Sequence, residues 1–279
     1  MPVTTLRCGQ RTLDLTRPVV MGVLNVTPDS FSDGGRFIDL EAAVAHGLKL
    51  AEEGAAILDI GGESTRPGAA PVSVDEEIRR VVPVVERLRA AGVQAVVSVD
   101  TSKPEVMRAA LAAGAGLIND VRALAEPGAL DAVAGSDCAL CLMHMQGDPR
   151  TMQRAPSYVD VVKEVKAFLL ERVQSCLAAG VAPERIAIDP GFGFGKTLEH
   201  NLQLLRQLGE LTAADWPVLV GLSRKSIVGT LTGRGAGERV HGSVALAVIA
   251  ALQGARIIRA HDVAATVEAL KIVAAFQGS

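Results

Sequence analysis

Short apolar runs that end in a polar residue recur along this chain. Six runs of β-branched and aliphatic residues finish with a carboxylate, amide, hydroxyl or basic side chain. They occupy residues 57–59, 97–100, 117–120, 186–189, 219–223 and 257–261. Buried parallel strands read as continuous apolar runs, and in α/β folds the ligand binds where the carboxyl ends of the strands meet. The runs therefore predict parallel strands that build one site together.

Helical patterns separate the apolar runs. Strands are predicted near 19–25, 55–60, 95–100, 117–119, 138–143, 186–189, 218–221 and 257–260. Helices are predicted near 40–53, 74–91, 104–113, 128–134, 158–179, 198–208, 238–253 and 263–275. Eight strand-then-helix units in series fit a closed (β/α)8 TIM barrel better than a doubly wound open sheet, which more often has about five or six strands. The fold class is predicted as α/β with a single barrel.

The first residues follow a different pattern. Two short alternating segments around Cys8-Gly9-Gln10 predict an N-terminal β-hairpin that covers one end of the domain. Residues 1–17 are assigned to this hairpin and residues 18–279 to the barrel. No linker divides the chain, so one domain is the simplest interpretation.

The balance of charges excludes several kinds of partner. The 279 residues carry a formal net charge of −3 with the signs intermixed, which favours neither nucleic acid nor a membrane surface. No apolar run reaches the roughly 18 residues needed to span a bilayer, and no signal pattern begins the chain. Cys138 and Cys141 lie three apart in a predicted strand, so they read as core thiols on opposite faces. We expect a cytoplasmic protein with small-molecule partners.

Two long connections, 27–39 and 61–73, follow predicted strands and would lie on the catalytic face. Asn25 ends the strand before the first connection and would direct its amide into the barrel mouth. One neutral oxygen suits Mg²⁺ that keeps its waters and takes further ligands from substrate phosphates. Arg66 lies among glycines in the second connection, where a guanidinium can bind an anion, although an exposed arginine is more often merely solvated.

The segment 189–197 looks at first like a Walker phosphate-binding loop. It fails the required spacing, because Pro190 stands where the first glycine belongs. This excludes a nucleoside triphosphatase of that type. We interpret Asp189 as a strand-end carboxylate, followed by a flexible loop from which Phe192 or Phe194 lies beside a planar ligand.

Charged residues end the later strands. Lys225 follows the seventh predicted strand, and Arg259 and His261 end the eighth; the loops after these strands often hold phosphate in such barrels. They would face Asp100 and Asp189 across one mouth. Isolated carboxylates in an apolar barrel are costly, so a ligand that is cationic or donates hydrogen bonds is implied.

The residue types indicate the class of ligand. Asn119 offers both a donor and an acceptor, and with the two carboxylates and Lys225 it suits a planar heterocycle with a guanidine-like edge and a carbonyl. The basic residues and Asn25 suit a diphosphate. The residues therefore predict transfer chemistry on a flat nitrogen heterocycle that carries a diphosphate. Arg224 is expected to be a solvated residue of a basic loop. No functional role is assigned to four histidines, which are expected in the core or on the surface: His46, His144, His200 and His241.

Seven motifs in order resemble those of the dihydropteroate synthase family, whose members are pterin-binding TIM barrels. The motifs are NVTPDSFSDGG at 25–35, DIGGESTRPG at 59–68, SVDT at 98–101, IND at 118–120, LMHMQG at 142–147, DPGFGFGK at 189–196 and SRKS at 223–226. The resemblance spans residues 19–262. It implies the joining of 4-aminobenzoate to 6-hydroxymethyl-7,8-dihydropterin diphosphate, which yields 7,8-dihydropteroate and diphosphate for folate synthesis.

The resemblance also implies roles for particular residues. The pterin would lie among Asp100, Asn119, Asp189 and Lys225, with Met143 lining the pocket and Arg259 stacked on the ring. The diphosphate and Mg²⁺ would engage Asn25, Thr65, Arg66, Arg259 and His261. The aminobenzoate would lie near Pro67, Phe194 and Ser226. Asp100, Lys225 and Arg259 are assigned catalytic roles, in a route where diphosphate departs before the amine attacks.

Three features of the chain are compatible with more than one interpretation. Asp59 either lines the pterin pocket or braces Ser223 and Lys225. A homodimer is expected, since the helix at 243–252 is apolar on nearly every face and the family is commonly dimeric. The alternative is a helix that is buried under its neighbours within one chain. Two rival functions are a methyltetrahydrofolate methyltransferase of corrinoid pathways and a non-catalytic pterin-binding barrel. The first has no use for Arg66 or a diphosphate cluster.

Overall fold

The computed structural model describes residues 4–26, 36–64, 70–148 and 151–278. The predicted site residues Thr65, Arg66 and Pro67 and most of the connection 27–39 lie outside the described residues. The strands are β1 Thr5–Cys8, β2 Arg11–Asp14, β3 Val19–Asn25, β4 Ile57–Gly61, β5 Val96–Asp100, β6 Leu117–Asp120, β7 Ala139–Met143, β8 Ile186–Asp189, β9 Leu219–Val220 and β10 Ile257–Ala260.

The strands from β3 to β10 form one parallel sheet of eight strands in the order β8-β7-β6-β5-β4-β3-β10-β9. A parallel bridge between Ile188 and Val218 joins the two ends of this order. The Ile188 amide also donates to the Pro217 carbonyl at 3.0 Å. The sheet thus closes on itself, and the predicted (β/α)8 barrel is confirmed.

Helices follow the strands and cover the outside of the barrel. They are α1 Arg36–Glu52, α2 Val74–Ala90, α3 Pro104–Ala112, α4 Ala129–Ala134, α5 Val161–Ala178, α6 Leu198–Arg206, α7 Gly209–Thr212, α8 Ser226–Thr232, α9 Val240–Leu252 and α10 Val263–Gln277. Side-chain caps begin several of them, as where Ser73 Oγ accepts from the Glu76 amide at 3.3 Å. The prediction missed α7 and α8, because four and seven residues are too few to display a helical period.

The inside of the barrel changes from apolar to polar along the strands. Met21, Ile57 and Val96 belong to a buried apolar cluster near the amino ends. Side chains alternate between the two faces of a strand, so every second residue points inward. The inward residues after Ile57 are Asp59 and Gly61, and those after Val96 are Ser98 and Asp100. The fold therefore collects polar groups at the carboxyl end of an otherwise apolar barrel.

The N-terminal hairpin closes the other end. Strands β1 and β2 pair antiparallel, and Leu6, Cys8 and Leu15 pack into the same inner cluster. The carboxyl end is therefore the end at which a ligand enters. Cys138 packs in the outer core, the apolar layer between the strands and the surrounding helices, and Cys141 packs in the inner cluster. The two thiols lie on opposite faces of the strand, as predicted. Within the described ranges, no helix is long and apolar enough to cross a membrane.

Candidate active site

Parallel register brings the strand-end residues side by side. Asn25 on β3 pairs with Gly61 on β4, Gly61 pairs with Asp100 on β5, and Asp100 pairs with Asn119 on β6. A β-carbon at Gly61 would lie 3.6 Å from Asn25 Oδ1. The glycine therefore keeps the space between Asn25 and Asp100 open at the barrel mouth.

Arg259 on β10 lies between two carboxylates from across the barrel. Its Nε donates to Asp59 Oδ2 at 2.6 Å, and its Nη2 donates to Asp100 Oδ2 at 3.1 Å. Burial lowers the pKa of the guanidinium, but Asp59 and Asp100 outweigh burial, so the net pKa shift is upward. The arginine is therefore a permanent cation at the centre of the mouth.

Asp59 supports its neighbours from below. Its side chain is fully buried and accepts from Ser98 Oγ at 2.6 Å and from Asn119 Nδ2 at 3.1 Å, besides Arg259. These bonds orient Asn119 so that its Oδ1 is the atom turned away from Asp59. The suggestion that Asp59 braces Ser223 and Lys225 is wrong, since neither residue is among these partners. The Asp59 side chain also has no exposed surface with which to line the pterin pocket.

The two other carboxylates ionise less readily than usual. Burial raises the pKa of Asp100 to about 7, although Arg259 lowers it. Burial also raises the pKa of Asp189, against the opposing charge of Lys225. Asp189 Oδ1 accepts from the Gly191 amide at 2.7 Å, which turns the chain sharply after β8. Both groups are therefore poised to gain or lose charge when a ligand binds.

Lys225 immediately precedes α8 and crosses the mouth toward the loop after β8. Its Nζ donates to the Phe192 carbonyl and lies 4.6 Å from the centre of the Phe194 ring. Burial lowers the pKa of Lys225 to about 8, opposed by the charge of Asp189. The Phe192 side chain is fully buried between the strands and the surrounding helices. Of the two rings predicted as alternatives beside a planar ligand, Phe194 is therefore the one that remains a candidate.

The turn before Lys225 is held by a network. Arg224 has a positive φ of 58°, an uncommon conformation for a residue with a side chain. Its amide donates to Ser243 Oγ at 2.9 Å, and its Nε donates to Asp262 Oδ2 at 3.0 Å. Arg239 Nη1 donates to the Arg224 carbonyl at 3.0 Å. The expectation of a merely solvated Arg224 is wrong, because the contact partners come from a distant part of the sequence.

The remaining predicted residues also lie at this end. Ser223 Oγ accepts from the His261 amide at 3.1 Å and contacts His261 Nδ1 at 3.1 Å. Met143 is buried at the end of β7, and Ser226 is exposed at the start of α8. The described residues predicted for the site therefore converge on one mouth, apart from the Phe192 side chain.

One buried pair at this end of the barrel has no counterpart among the residues predicted for the site. Lys196 Nζ lies 2.9 Å from His144 Nδ1, and both side chains are buried. The only sequence signal was the place of both residues inside the quoted motifs.

An eight-stranded parallel barrel with carboxylates, amides and cations at the carboxyl ends of its strands has the architecture of a TIM-barrel enzyme, whose site is built from strand ends. Consistent with this class, residues 21–261 match the family model described as pterin binding enzyme.

Similar proteins narrow the class further. A dihydropteroate synthase of Escherichia coli K12 is 56% identical over 263 residues, which cover 94% of this chain and 93% of that protein. The solved dihydropteroate synthase of Xanthomonas albilineans with 4-aminobenzoic acid has a TM-score of 0.93 and 58% identity, over 99% of both chains. A structure of that organism's enzyme in complex with 7,8-dihydropteroate has a TM-score of 0.90 and 56% identity, again over 99% of both chains. The chain belongs to the dihydropteroate synthase family.

Proposed function

We propose that this chain joins 6-hydroxymethyl-7,8-dihydropterin diphosphate to 4-aminobenzoate, releasing diphosphate and giving 7,8-dihydropteroate. The observation that carries the proposal is Arg259 held between Asp59 and Asp100 at the open end of the barrel. This arrangement puts one permanent cation where a diphosphate can bind and carboxylates where positive charge can develop. Names of the relatives above agree with it.

The pterin end would use the acceptors and one donor described above. Asp189 and the Oδ1 atom of Asn119 accept from the ring N–H groups, and Lys225 donates to ring acceptors. Met143 packs on the apolar part of the ring, with the Arg259 guanidinium stacked on the other side. The aminobenzoate would lie toward Phe194 and Ser226, with Pro67 outside the described residues.

The diphosphate end would use Asn25, Arg259 and His261, together with Thr65 and Arg66 outside the described residues. The described residues contain no group of three or more His, Cys, Asp or Glu that could hold a metal ion. A single amide oxygen at Asn25 instead fits Mg²⁺ that keeps its waters and shares the substrate's phosphate oxygens. When bound, such an ion neutralises charge on the departing diphosphate.

The bond to diphosphate would break before the amine attacks. Arg259 and His261 stabilise the leaving group, and the methylene cation left on the pterin is stabilised by the charge of Asp100. The weakly basic amine of 4-aminobenzoate then attacks the methylene carbon, and the ammonium that forms loses its proton to the released diphosphate or to water, without a strong general base. In this route the carboxylates act through their charge and need not accept the proton of the amine.

Activity is expected to peak in a narrow pH window. Asp100 acquires its charge as the pH rises through about 7, and Lys225 loses its charge as the pH rises through about 8. The value of kcat/KM for the pterin substrate should therefore rise and then fall across this window. In Lys225→Arg, whose guanidinium stays charged, the alkaline fall should become smaller, and the part that remains should come from Lys196, whose pKa burial lowers to about 7. A flat profile in the wild-type protein would contradict these assignments.

A turnover assay with the purified protein tests the proposed function. Diphosphate and 7,8-dihydropteroate should form in equal amounts, and only when both substrates and Mg²⁺ are present. Demethylation of methyltetrahydrofolate with a corrinoid acceptor would instead favour the methyltransferase. Tight pterin binding without product in excess Mg²⁺ would favour the non-catalytic barrel.

We propose that the chain forms a homodimer through α9 and α10. These helices pack together and expose Ile249, Leu252, Ile272 and Phe276, the last being 80% exposed. Phe276→Asp should convert a dimer to a monomer in light scattering, whereas Leu231→Asp on α8 should leave the dimer intact. A wild-type protein that stays monomeric at high concentration would overturn the proposed dimer.

We also propose a cytoplasmic location, which the buried free cysteines among the described residues support.

A further inference from the structure

Six consecutive carbonyl groups after β8 each accept a hydrogen bond from a side chain. We call residues Gly191–Lys196 the carbonyl loop. The donors, in order from residue 191 to residue 196, are Lys196 Nζ, Lys225 Nζ, Gln153 Nε2, Lys196 Nζ, Tyr158 Oη and Asn201 Nδ2. Most carbonyls in folded proteins are satisfied by backbone amides. The Gly191 carbonyl also accepts from the Phe194 amide at 3.1 Å. The shape of this loop therefore depends on that turn and on a few side chains, and Lys196 supplies two of the six side-chain bonds.

Lys196 uses all three of its N–H donors inside the protein. Its side chain is buried, and Nζ lies 2.9 Å from His144 Nδ1, 2.9 Å from the Gly191 carbonyl and 3.1 Å from the Phe194 carbonyl. A buried ammonium is costly unless its donors are paired, and here three acceptors surround it. Burial lowers the pKa of Lys196 to about 7 and that of His144 to about 3, which leaves the imidazole neutral and able to accept.

The back of the carbonyl loop packs directly on the segment after β7. A β-carbon at Gly191 would lie 1.9 Å from the His144 carbonyl oxygen, and one at Gly195 would lie 2.4 Å from the Gln146 carbonyl oxygen. Both glycines also have positive φ, of 66° and 61°. The loop therefore has a rigid support on this side, and Lys196 links it to that support through His144.

The front of the same loop meets the catalytic lysine. The Phe192 carbonyl accepts from Lys225, and the Phe194 ring lies under the Lys225 ammonium. The two carbonyls that Lys196 holds, on Gly191 and Phe194, flank the Phe192 carbonyl on either side. The bonds of Lys196 therefore act on the same short stretch of backbone that carries both contacts of Lys225.

We propose that Lys196 is a positioning residue, which holds the carbonyl loop against His144 so that Phe192 and Phe194 place the Lys225 ammonium for the pterin. Lys196 does not touch the substrate in this account. The inference rests on the proposed function for the identity of the pterin, but it concerns binding and can be measured without turnover.

Equilibrium binding of 6-hydroxymethyl-7,8-dihydropterin diphosphate in Lys196→Met tests the proposal. Methionine keeps the length of the chain and removes the three donors. We expect the dissociation constant to rise by about tenfold to a hundredfold, since small displacements of a positioned group have effects of this size. Lys271→Met, on the exposed face of α10, is the matched control and should leave binding unchanged.

Inorganic diphosphate separates positioning from general damage to the fold. Its binding depends on Arg259 and His261, so Lys196→Met should bind it as the wild-type protein does. Equal losses for the pterin substrate and for inorganic diphosphate would overturn the proposal, as would unchanged binding of both. If Lys196→Met fails to fold, His144→Leu keeps the lysine and removes one acceptor; it should weaken pterin binding several-fold, and unchanged binding there would also overturn the proposal.

The outcomes distinguish this inference from the proposed function. A wild-type protein that binds the pterin diphosphate but forms no product would contradict the proposed function alone. Wild-type turnover with undiminished pterin binding in Lys196→Met would contradict the positioning role alone.

Discussion

Replacing Arg259 with alanine is expected to slow diphosphate release by a factor of about 10² to 10³, the usual cost of removing a group that stabilises developing charge. The guanidinium is the cation shared by Asp59 and Asp100, with N–O distances of 2.6 Å and 3.1 Å. Its loss removes a ligand of the departing diphosphate and leaves two buried carboxylates close together. The rate should be measured as diphosphate release at saturating substrates.

Two further variants make the result specific. Arg256→Ala removes an exposed guanidinium that donates to the Thr16 carbonyl at 3.2 Å, far from the mouth, and should retain normal turnover. Arg259→Lys should fall between the wild-type protein and Arg259→Ala, because an ammonium cannot reproduce the two-sided contact of the guanidinium. Wild-type-like rates in Arg259→Ala would contradict the role assigned to this residue.

The substitution Asp59→Asn is expected to lower the free energy of unfolding by about 3 kcal/mol, the lower range for breaking one side of a buried ion pair. Asp59 is fully buried and is bonded to Ser98, Asn119 and Arg259. An amide at this place cannot accept from all three donors as the carboxylate does. Urea unfolding measures the loss, and Asp131→Asn on the exposed face of α4 is the matched control.

The same variant has a second expected effect, on ionisation. The charge of Asp59 contributes to raising the pKa of Asp100, so removing that charge should lower this pKa. The acid side of the pH profile should consequently move to lower pH. If Asp59→Asn has the wild-type free energy of unfolding and the acid side of its pH profile does not shift, Asp59 does not hold Asn119 and Arg259 in place.

The sequence predicted the barrel because each buried strand is a short apolar run, and the position of each run's last residue locates the mouth. It could not predict which polar residues support others. Asp59 and Arg259 are 200 residues apart, and their contact exists only after the barrel closes. Asp120 shows the same limit: it ends β6 beside Asn119 but turns outward, where it accepts from the Leu124 amide at 2.8 Å.

The errors within the loops also have physical reasons. Local sequence alone did not distinguish Phe192, which packs into the outer core, from Phe194, which contacts Lys225. The partner of Arg224 is Asp262, which follows a different strand, so the residues next to Arg224 in the sequence do not indicate this contact. Lys196 and His144 are polar residues whose burial depends on the tight approach of two loops. Such placements follow from tertiary packing and not from periodicity.

In the proposed route the carbon–oxygen bond to diphosphate breaks before the amine attacks, and the charge of Asp100 stabilises the methylene cation while Arg259 stabilises the diphosphate. The most direct measurement of this order is the secondary deuterium isotope effect at the pterin methylene. Substrates that carry CH2 and CD2 at this position compete for a limiting amount of enzyme, and the ratio of their rates of reaction is measured. A normal effect, in which the undeuterated substrate reacts faster, is predicted, because the methylene becomes planar in the transition state. An effect of unity or an inverse effect, with full turnover, would contradict this order.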